Sequence, residues 1–447
     1  MIDYQLIIAI LLGIGVLLVL ILRVRLQAFI ALLICSIVVG LVAGMPPLNI
    51  ITTMQDGMGS TLGFVAMVVG LGAMFGAILE SSGGAEALAQ YLLKKFGEKN
   101  ASWALMLTGF FVAIPVFFDV AFIILVPLVY ALQRKTKKSL LLYAIPLLAG
   151  LAITHSFIPP TPGPVAVADI LKADLGWVIL IGFLAGVPTA IICGPLFAKY
   201  ISNRIHIDAP KLQINEDVIS KLPSVYLIIS IVALPIILIL SNTIINSPMM
   251  AGSAISNSFG LPLKMLGHPF VALIIANLAA WYLLGVKSGF SKDKMLAITT
   301  RSMEPAGIII LLTGAGGVFK QMLVNTGAGK MLATYFAQAG FSILLFAFLA
   351  AAIVRILQGS ATVAMITAAG VTAPLFSSNI AEIDKALIVI AIASGASILS
   401  HVNDSGFWLV GKYLNLTEKQ TFYSWTAMTT ILAIVGFASV SLLSLVL

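Results

Sequence analysis

One pattern constrains this chain more than any other: apolar runs of about 20 residues, the length of helix that crosses a ~30 Å hydrocarbon core. They fall at 5–22, 26–44, 61–80, 101–133, 139–157 continuing to 175, and 177–199. After a polar stretch at 200–222 they resume at 223–243, 269–286, 304–324, 341–378, 386–416 and 425–447. Lipid offers the backbone no hydrogen-bond partners, so helix is the expected state of each run. Charged residues make up only 9% of the chain and hydrophobic residues 60%, too few charges to clothe a water-soluble surface. The expected fold is an all-α polytopic membrane protein whose surroundings are the lipid bilayer. Met1-Ile2-Asp3-Tyr4 has no basic character and the run after it is long, so it reads as a retained first span rather than a cleaved signal peptide.

The formal charge of +8 does not point to nucleic acid, because the Lys and Arg sit between apolar runs, where basic residues mark cytoplasmic loops. Arg23 and Arg25, Lys94, Lys95 and Lys99, Arg134, Lys135, Lys137 and Lys138, and Lys199 and Arg204 are expected inside, and the Lys/Arg-free loop 45–60 outside. Basic clusters flank 101–133 on both sides. Its 33 residues would make roughly 50 Å of helix, too long for one span and too short for two. With Pro115 and Asp119 near its middle, it is expected to form a re-entrant hairpin. Trp103, Trp177 and Trp425 open spans and read as interface anchors. Cys35 and Cys193 lie inside apolar runs and read as small core residues. Four histidines, with no cysteine near them, suggest no metal or cofactor. No HExxH, GxSxG or P-loop text occurs, so neither enzymatic chemistry nor ATP-driven pumping is expected.

The chain also repeats itself. GAMFGAILESSGGAEALAQY (72–91) aligns without gaps on GGVFKQMLVNTGAGKMLATY (316–335), pairing Gly72 with Gly316, Phe75 with Phe319, Leu79 with Leu323, Gly83 with Gly327, Leu88 with Leu332 and Tyr91 with Tyr335. Further on, Thr154-His155 matches Ser400-His401. The organisation expected is a first transmembrane repeat at 1–200, a cytoplasmic linker at 201–222 containing Asp208, Glu216 and Asp217, and a second repeat at 223–447. Lys287, Lys292, Lys294 and Arg301 put the segment before 304 inside, whereas its counterpart is expected outside, so the halves are inverted. That predicts about ten full spans plus two re-entrant hairpins (the second at 341–378, dipping from outside) and two broken helices. Such inverted repeats build secondary transporters, with substrate between the breaks near the midplane.

Four stretches carry the polar text at those breaks. Asp119 is the only acid between Lys99 and Asp169. A carboxylate at that depth is costly, so it either faces a wet cavity and carries a proton or pairs structurally near the tip. Gly359, Ser360, Ala361 and Thr362 suit a tip that holds an anion with hydroxyls and free N–H groups, or equally close helix packing. THSFIPPTPGP (154–164) offers Thr154, His155, Thr161 and Gly163 among prolines that cannot continue a helix. SHVNDSGFW (400–408) packs Ser400, His401, Asn403, Asp404 and Ser405 into one break. Arg355 either counters a substrate carboxylate or pairs with an acid. The glycines at 70, 72, 76, 314, 316 and 317 lack a strand–turn–helix context and read as helix-packing residues.

GSTLGF (59–64), FFD (117–119), THSFIPPTPGP (154–164), GAGGVFKQ (314–321), GSATVA (359–364) and SHVNDSGFW (400–408) together resemble the gluconate permease family over essentially the whole chain. The resemblance implies a bacterial inner-membrane symporter that takes up gluconate or a related small hydroxy acid with a proton by alternating access. It also implies inverted repeats with re-entrant hairpins, and a homodimer. On a symporter reading Ser360 and Thr362 hold the substrate carboxylate, Thr154, His155, Thr161, Ser400, His401, Asn403 and Asp404 read its hydroxyls, and Asp119 is the first choice for the proton site, with Asp404 or a histidine second. D-serine or another small hydroxy or amino acid is the alternative cargo, and a non-coupled channel the alternative mechanism.

Overall fold

The computed structural model describes residues 4–114, 116–210, 222–246, 254–328, 331, 342–376, 380–401 and 404–447. Pro115, Glu216, Asp217, Leu332, Tyr335 and Asn403, all singled out above, lie outside the described residues. Among the described residues the structure is helical, with no strand. Among the described residues, seven helices are long and apolar enough to cross a membrane: Pro47–Ser81, Leu141–Leu171, Leu175–Ser202, Val225–Asn246, Pro269–Ser288, Lys292–Asn325 and Glu418–Val446. Shorter apolar helices accompany them at Tyr4–Leu17, Ala28–Val42, Ile343–Gln358 and Ala361–Leu375.

The helices that open the segments aligned by the sequence repeat end in like caps. Two long helices, Pro47–Ser81 and Lys292–Asn325, hold equivalent places in the halves and pack on each other. Each ends in the same cap: Ser82 and Thr326 close the last turn, followed by Gly83 at φ +75° and Gly327 at φ +76°. That left-handed position admits glycine without a Cβ penalty, which explains why the repeat pairs these two glycines. The helices meet backbone to backbone. A Cβ on Gly57 would stand 2.8 Å from the Gly317 carbonyl, and one on Gly317 would stand 2.7 Å from the Gly57 carbonyl. The expected outside loop at 45–60 is therefore corrected: residues 47–60 are the first turns of Pro47–Ser81. Their polar text (Thr53, Gln55, Asp56, Gly57) suggests a loop, yet Thr53 and Gly57 are buried against the partner helix.

The stretch 101–133 forms a hairpin, with arms Ala101–Val112 and Phe118–Thr136. Its first arm, 12 residues or about 18 Å, is too short to cross a bilayer. The second half mirrors it with Ile343–Gln358 and Ala361–Thr372. Each hairpin packs on the broken helix of its own half. That helix is Leu141–Phe157 and Pro162–Leu171 in the first half, and Glu382–Gly395 and Ser405–Tyr413 in the second. The hairpins also reach across: Ala361–Thr372 packs on Pro162–Leu171, and Phe118–Thr136 on Ser405–Tyr413. This reciprocal exchange brings both tips and both breaks to one place.

Candidate functional site

At that place lies a cavity of about 400 Å³. The first tip contributes Phe117, Phe118 and Asp119, and the second contributes Gln358 to Thr362. The first broken helix adds His155 and Ser156, the second adds Ser397 and Asp404 to Gly406, and the last helix adds Trp425. Three helices start at its wall: Phe118–Thr136, Ala361–Thr372 and Ser405–Tyr413. The positive ends of their dipoles, together with the first N–H groups of Phe118–Thr136 that no side chain caps, favour a negatively charged occupant.

Local sequence builds each start. Gly359, at φ +88°, ends the first arm of the second hairpin and lets the chain reverse at once. Ser360 then caps the second arm, its Oγ accepting from the Val363 N–H at 3.3 Å, while Gln358 Oε1 accepts from the Ser360 N–H at 2.9 Å. In the first hairpin Phe117 occupies the cap position with no side-chain bond, so the first N–H groups of Phe118–Thr136 are left without a side-chain cap. Asp119 sits in that first turn and lines the cavity. It makes no hydrogen bond or ion pair among the described residues.

The best-organised part of the wall is an ion pair. Arg355 Nη2 donates to Asp404 Oδ2 at 2.5 Å, with side-chain exposures of only 5% and 13%. Arg355 also donates to the Gly359 carbonyl, and its Nε is buried without a partner among the described residues. Asp404 Oδ1 accepts from the Gly406 N–H at 3.1 Å, capping Ser405–Tyr413. Ser400 donates to Asp404 Oδ2 and accepts from the Trp425 indole N–H at 2.6 Å. Ser400 is held in turn by its N–H to Thr429 Oγ1 at 3.2 Å and by the Thr426 hydroxyl on its carbonyl. Trp425 is thus not the interface anchor expected from its place at the start of a run. It is 4% exposed and sits in one turn of π-helix, Phe422–Thr426, that turns the indole inward.

Of the residues singled out in the sequence, Asp119, His155, Gly359, Ser360, Thr362 and Asp404 line the cavity, and Ser400 stands behind Asp404. Thr161 lines a much smaller neighbouring space of about 10 Å³, walled off by His155 and Phe117, and donates to the Ile158 carbonyl at 2.6 Å. Three others are turned elsewhere. Thr154 is fully buried, and its hydroxyl has no partner among the described residues. Gly163 packs on Met365, whose Sδ would be 2.7 Å from an added Cβ. His401 Nε2 lies 2.9 Å from the Ile356 carbonyl. The sequence left Arg355 open between two roles, and the structure gives it an acidic partner at the cavity. Phe117 and Phe118 enter the sequence reading only within the FFD text and Trp425 only as an expected interface anchor, while Gln358 and Ser397 carry no readable signal, although Gln358 beside the Gly-Ser tip could have been included.

The pattern of the family described as GntP family permease matches residues 5–446. The gluconate permease of Pseudomonas aeruginosa is 42% identical over 436 residues, 96% of each chain. The low-affinity gluconate transporter of Escherichia coli K12 is 42% identical over 435 residues, again 96% of each. The Gnt-II system L-idonate transporter of the same organism is 37% identical over 437 residues, covering 97% of this chain and 98% of that one. Among solved structures, the Alcanivorax borkumensis YdaH transporter superposes with a TM-score of 0.64 at 15% identity, covering 93% of this chain and 96% of its own. Neisseria gonorrhoeae MtrF gives a TM-score of 0.64 at 15% identity, covering 92% and 93%. At that identity the likeness concerns the fold alone.

Proposed function

This chain belongs to the GntP family of permeases, and from that membership we propose that it imports gluconate or a closely related sugar acid by proton symport. It is a multi-pass inner-membrane permease rather than an enzyme. The cargo is inferred from relatives named for gluconate and L-idonate transport, and from a cavity within the ~300–1,000 Å³ range of small-molecule sites. The helix starts at Ala361 and Phe118, with the hydroxyls of Ser360 and Thr362, receive the carboxylate. His155, Ser156, Gln358 and Asp404 offer hydrogen bonds to its hydroxyls.

The charge count around the cavity carries the coupling argument. Among the described residues one cation, Arg355, faces two carboxylates, Asp404 and Asp119. With both acids ionised the wall is net negative and opposes an anion. A proton on Asp119 brings the wall to neutrality, and the three helix starts then favour the anion. Substrate and proton therefore favour each other's binding, which is the thermodynamic requirement for symport. The halves 1–200 and 223–447 move about this site in alternating access, joined by the cytoplasmic linker 201–222.

The test is uptake of radiolabelled gluconate into proteoliposomes, with and without an imposed inward proton gradient, and with L-idonate and D-serine as competitors. Accumulation above equilibrium only with the gradient is the expected result. Slow equilibration without overshoot would instead mark an uncoupled pathway, and displacement by D-serine but not by L-idonate would reassign the cargo.

A further inference from the structure

A second cavity, about 600 Å³, lies among the ends of three segments of the first half. Lys99, Ser102 and Trp103 come from the start of the first hairpin, and Lys137, Lys138 and Ser139 from the turn leading out of it. Pro195 and Lys199 come from the last turns of Leu175–Ser202. All are ends assigned to the cytoplasmic side by their basic residues.

The cavity is lopsided in charge. Lys99, Lys137, Lys138 and Lys199 all line it, and none meets a carboxylate among the described residues. Its one acid, Glu98, is already paired with Lys135. Like charges gathered around one space repel, and an anion among them relieves that repulsion. The backbone frame that carries the lysines is held by hydrogen bonds. Ser102 Oγ donates to the Leu142 carbonyl at 2.7 Å, Ser139 Oγ to the Ile205 carbonyl at 2.8 Å, and the Leu140 N–H to the Ile207 carbonyl at 2.8 Å. Scattered lysines at a membrane surface would need no such frame. One flank is apolar: Trp103 and Leu142 belong to it, and Ile192 and Leu196 continue down the neighbouring helix at 40% and 53% exposure.

We propose that this cavity is a headgroup site for an anionic phospholipid. The phosphodiester sits among Lys99, Lys138 and Lys199, and the acyl chains run along Trp103 and the Ile192–Leu196 face. A cluster of exposed lysines on a hydrogen-bonded backbone frame above an apolar wall, at the base of membrane helices, matches both halves of such a molecule. A free phosphate shares the headgroup chemistry but has no use for the apolar flank. The site joins the base of the hairpin that carries Asp119 to the Leu175–Ser202 helix, so an occupant braces that hairpin.

The full-length protein, reconstituted in phosphatidylcholine with a small fraction of brominated phosphatidylglycerol, tests this through tryptophan quenching. The Trp103→Phe variant isolates the Trp103 signal. Quenching of Trp103 is expected to saturate at a lower fraction of brominated phosphatidylglycerol than of brominated phosphatidylcholine. In the Lys99→Gln/Lys138→Gln/Lys199→Gln variant the half-saturating fraction should rise on the order of 100-fold. The corresponding triple Arg variant should keep the preference, and so should Lys287→Gln/Lys292→Gln/Lys294→Gln, which removes equal charge elsewhere. Equal quenching by the two lipids, or an unchanged preference in the first triple variant, overturns the proposal. Loss of the preference in the Lys287 set assigns it to general surface charge and also overturns it. Relief of quenching by inorganic phosphate, but not by chloride at equal ionic strength, identifies a free phosphate as the occupant and overturns the lipid.

Discussion

Arg355 and Asp404 approach to 2.5 Å across the floor of the central cavity, one from the end of a hairpin arm and the other from the break of the neighbouring helix. The pair joins the second hairpin and the second broken helix into one wall. Arg355 also holds the Gly359 carbonyl at the tip, and Asp404 caps the helix that follows it. Shifting either residue therefore shifts a helix start that faces the substrate.

A pair this buried should respond unequally to single and double removal. Taking one partner leaves an uncompensated charge in a low-dielectric site, at a cost of about 3–5 kcal/mol. Asp404→Asn alone should lower the thermal unfolding midpoint of the purified protein clearly. Arg355→Met with Asp404→Leu should recover most of that loss, because apolar replacements need no partner. Transport should stay absent in both. A double variant that moves gluconate at the wild-type rate would show that the pair is scaffolding only.

Asp119 should separate coupling from binding. Asp119→Asn fixes the group in its neutral form while keeping its shape, so the anion can still enter. We expect gradient-driven accumulation to be lost, with exchange of internal for external gluconate kept within a few-fold of wild type. Wild-type overshoot in this variant would move the proton site to another residue.

Much of this arrangement is legible in the sequence, for definite reasons. Run length marks membrane helices because lipid forces helix, and the basic flanks of 101–133 mark a hairpin because charges do not cross freely. Asp119 and Asp404 stand out because an acid in apolar text is expensive. What is hidden depends on contrast and on distance. Phe117 and Phe118 are aromatic residues in a chain full of apolar ones, so only the FFD text of the family resemblance sets them apart. The partner of Arg355 lies 49 residues away, beyond any local rule. Residues 47–60 read as a loop because burial of Gly57 against Gly317 is a fact of the other half. Trp425 reads as a surface anchor because the π-turn that points it inward has no sequence signature.

The Trp425 indole offers a milder test of the same wall. Trp425→Phe keeps most of the volume but removes the N–H that Ser400 accepts. A neutral hydrogen bond of this kind contributes about 1 kcal/mol, so if the loss falls on binding, the apparent affinity for gluconate should weaken roughly five-fold. The maximal rate should change little. Ser400→Ala removes the donor to Asp404 as well and should weaken binding further than Trp425→Phe; the reverse order would break the proposed chain from Trp425 to Asp404.

Close helix crossing makes the last prediction, and it discriminates between glycines. In the first half the hairpin arm and the broken helix touch at Gly109 and Gly150. A Cβ on Gly150 would stand 2.2 Å from the Met106 carbonyl oxygen, and one on Gly109 would stand 2.4 Å from that of Leu147. These are backbone atoms and cannot rotate away, so Gly150→Ala must push the helices apart. Overpacking of this kind costs typically 1–3 kcal/mol, and it also tilts the helix that carries His155. Gly63 is also helical, but an added Cβ there meets nothing within 4 Å. Gly63→Ala should gain the helix propensity of alanine, about 0.5–1 kcal/mol. Thermal unfolding of the two variants in detergent should move in opposite directions, Gly150→Ala down and Gly63→Ala level or up. Equal tolerance of both substitutions would mean that the hairpin is not seated on the broken helix as described.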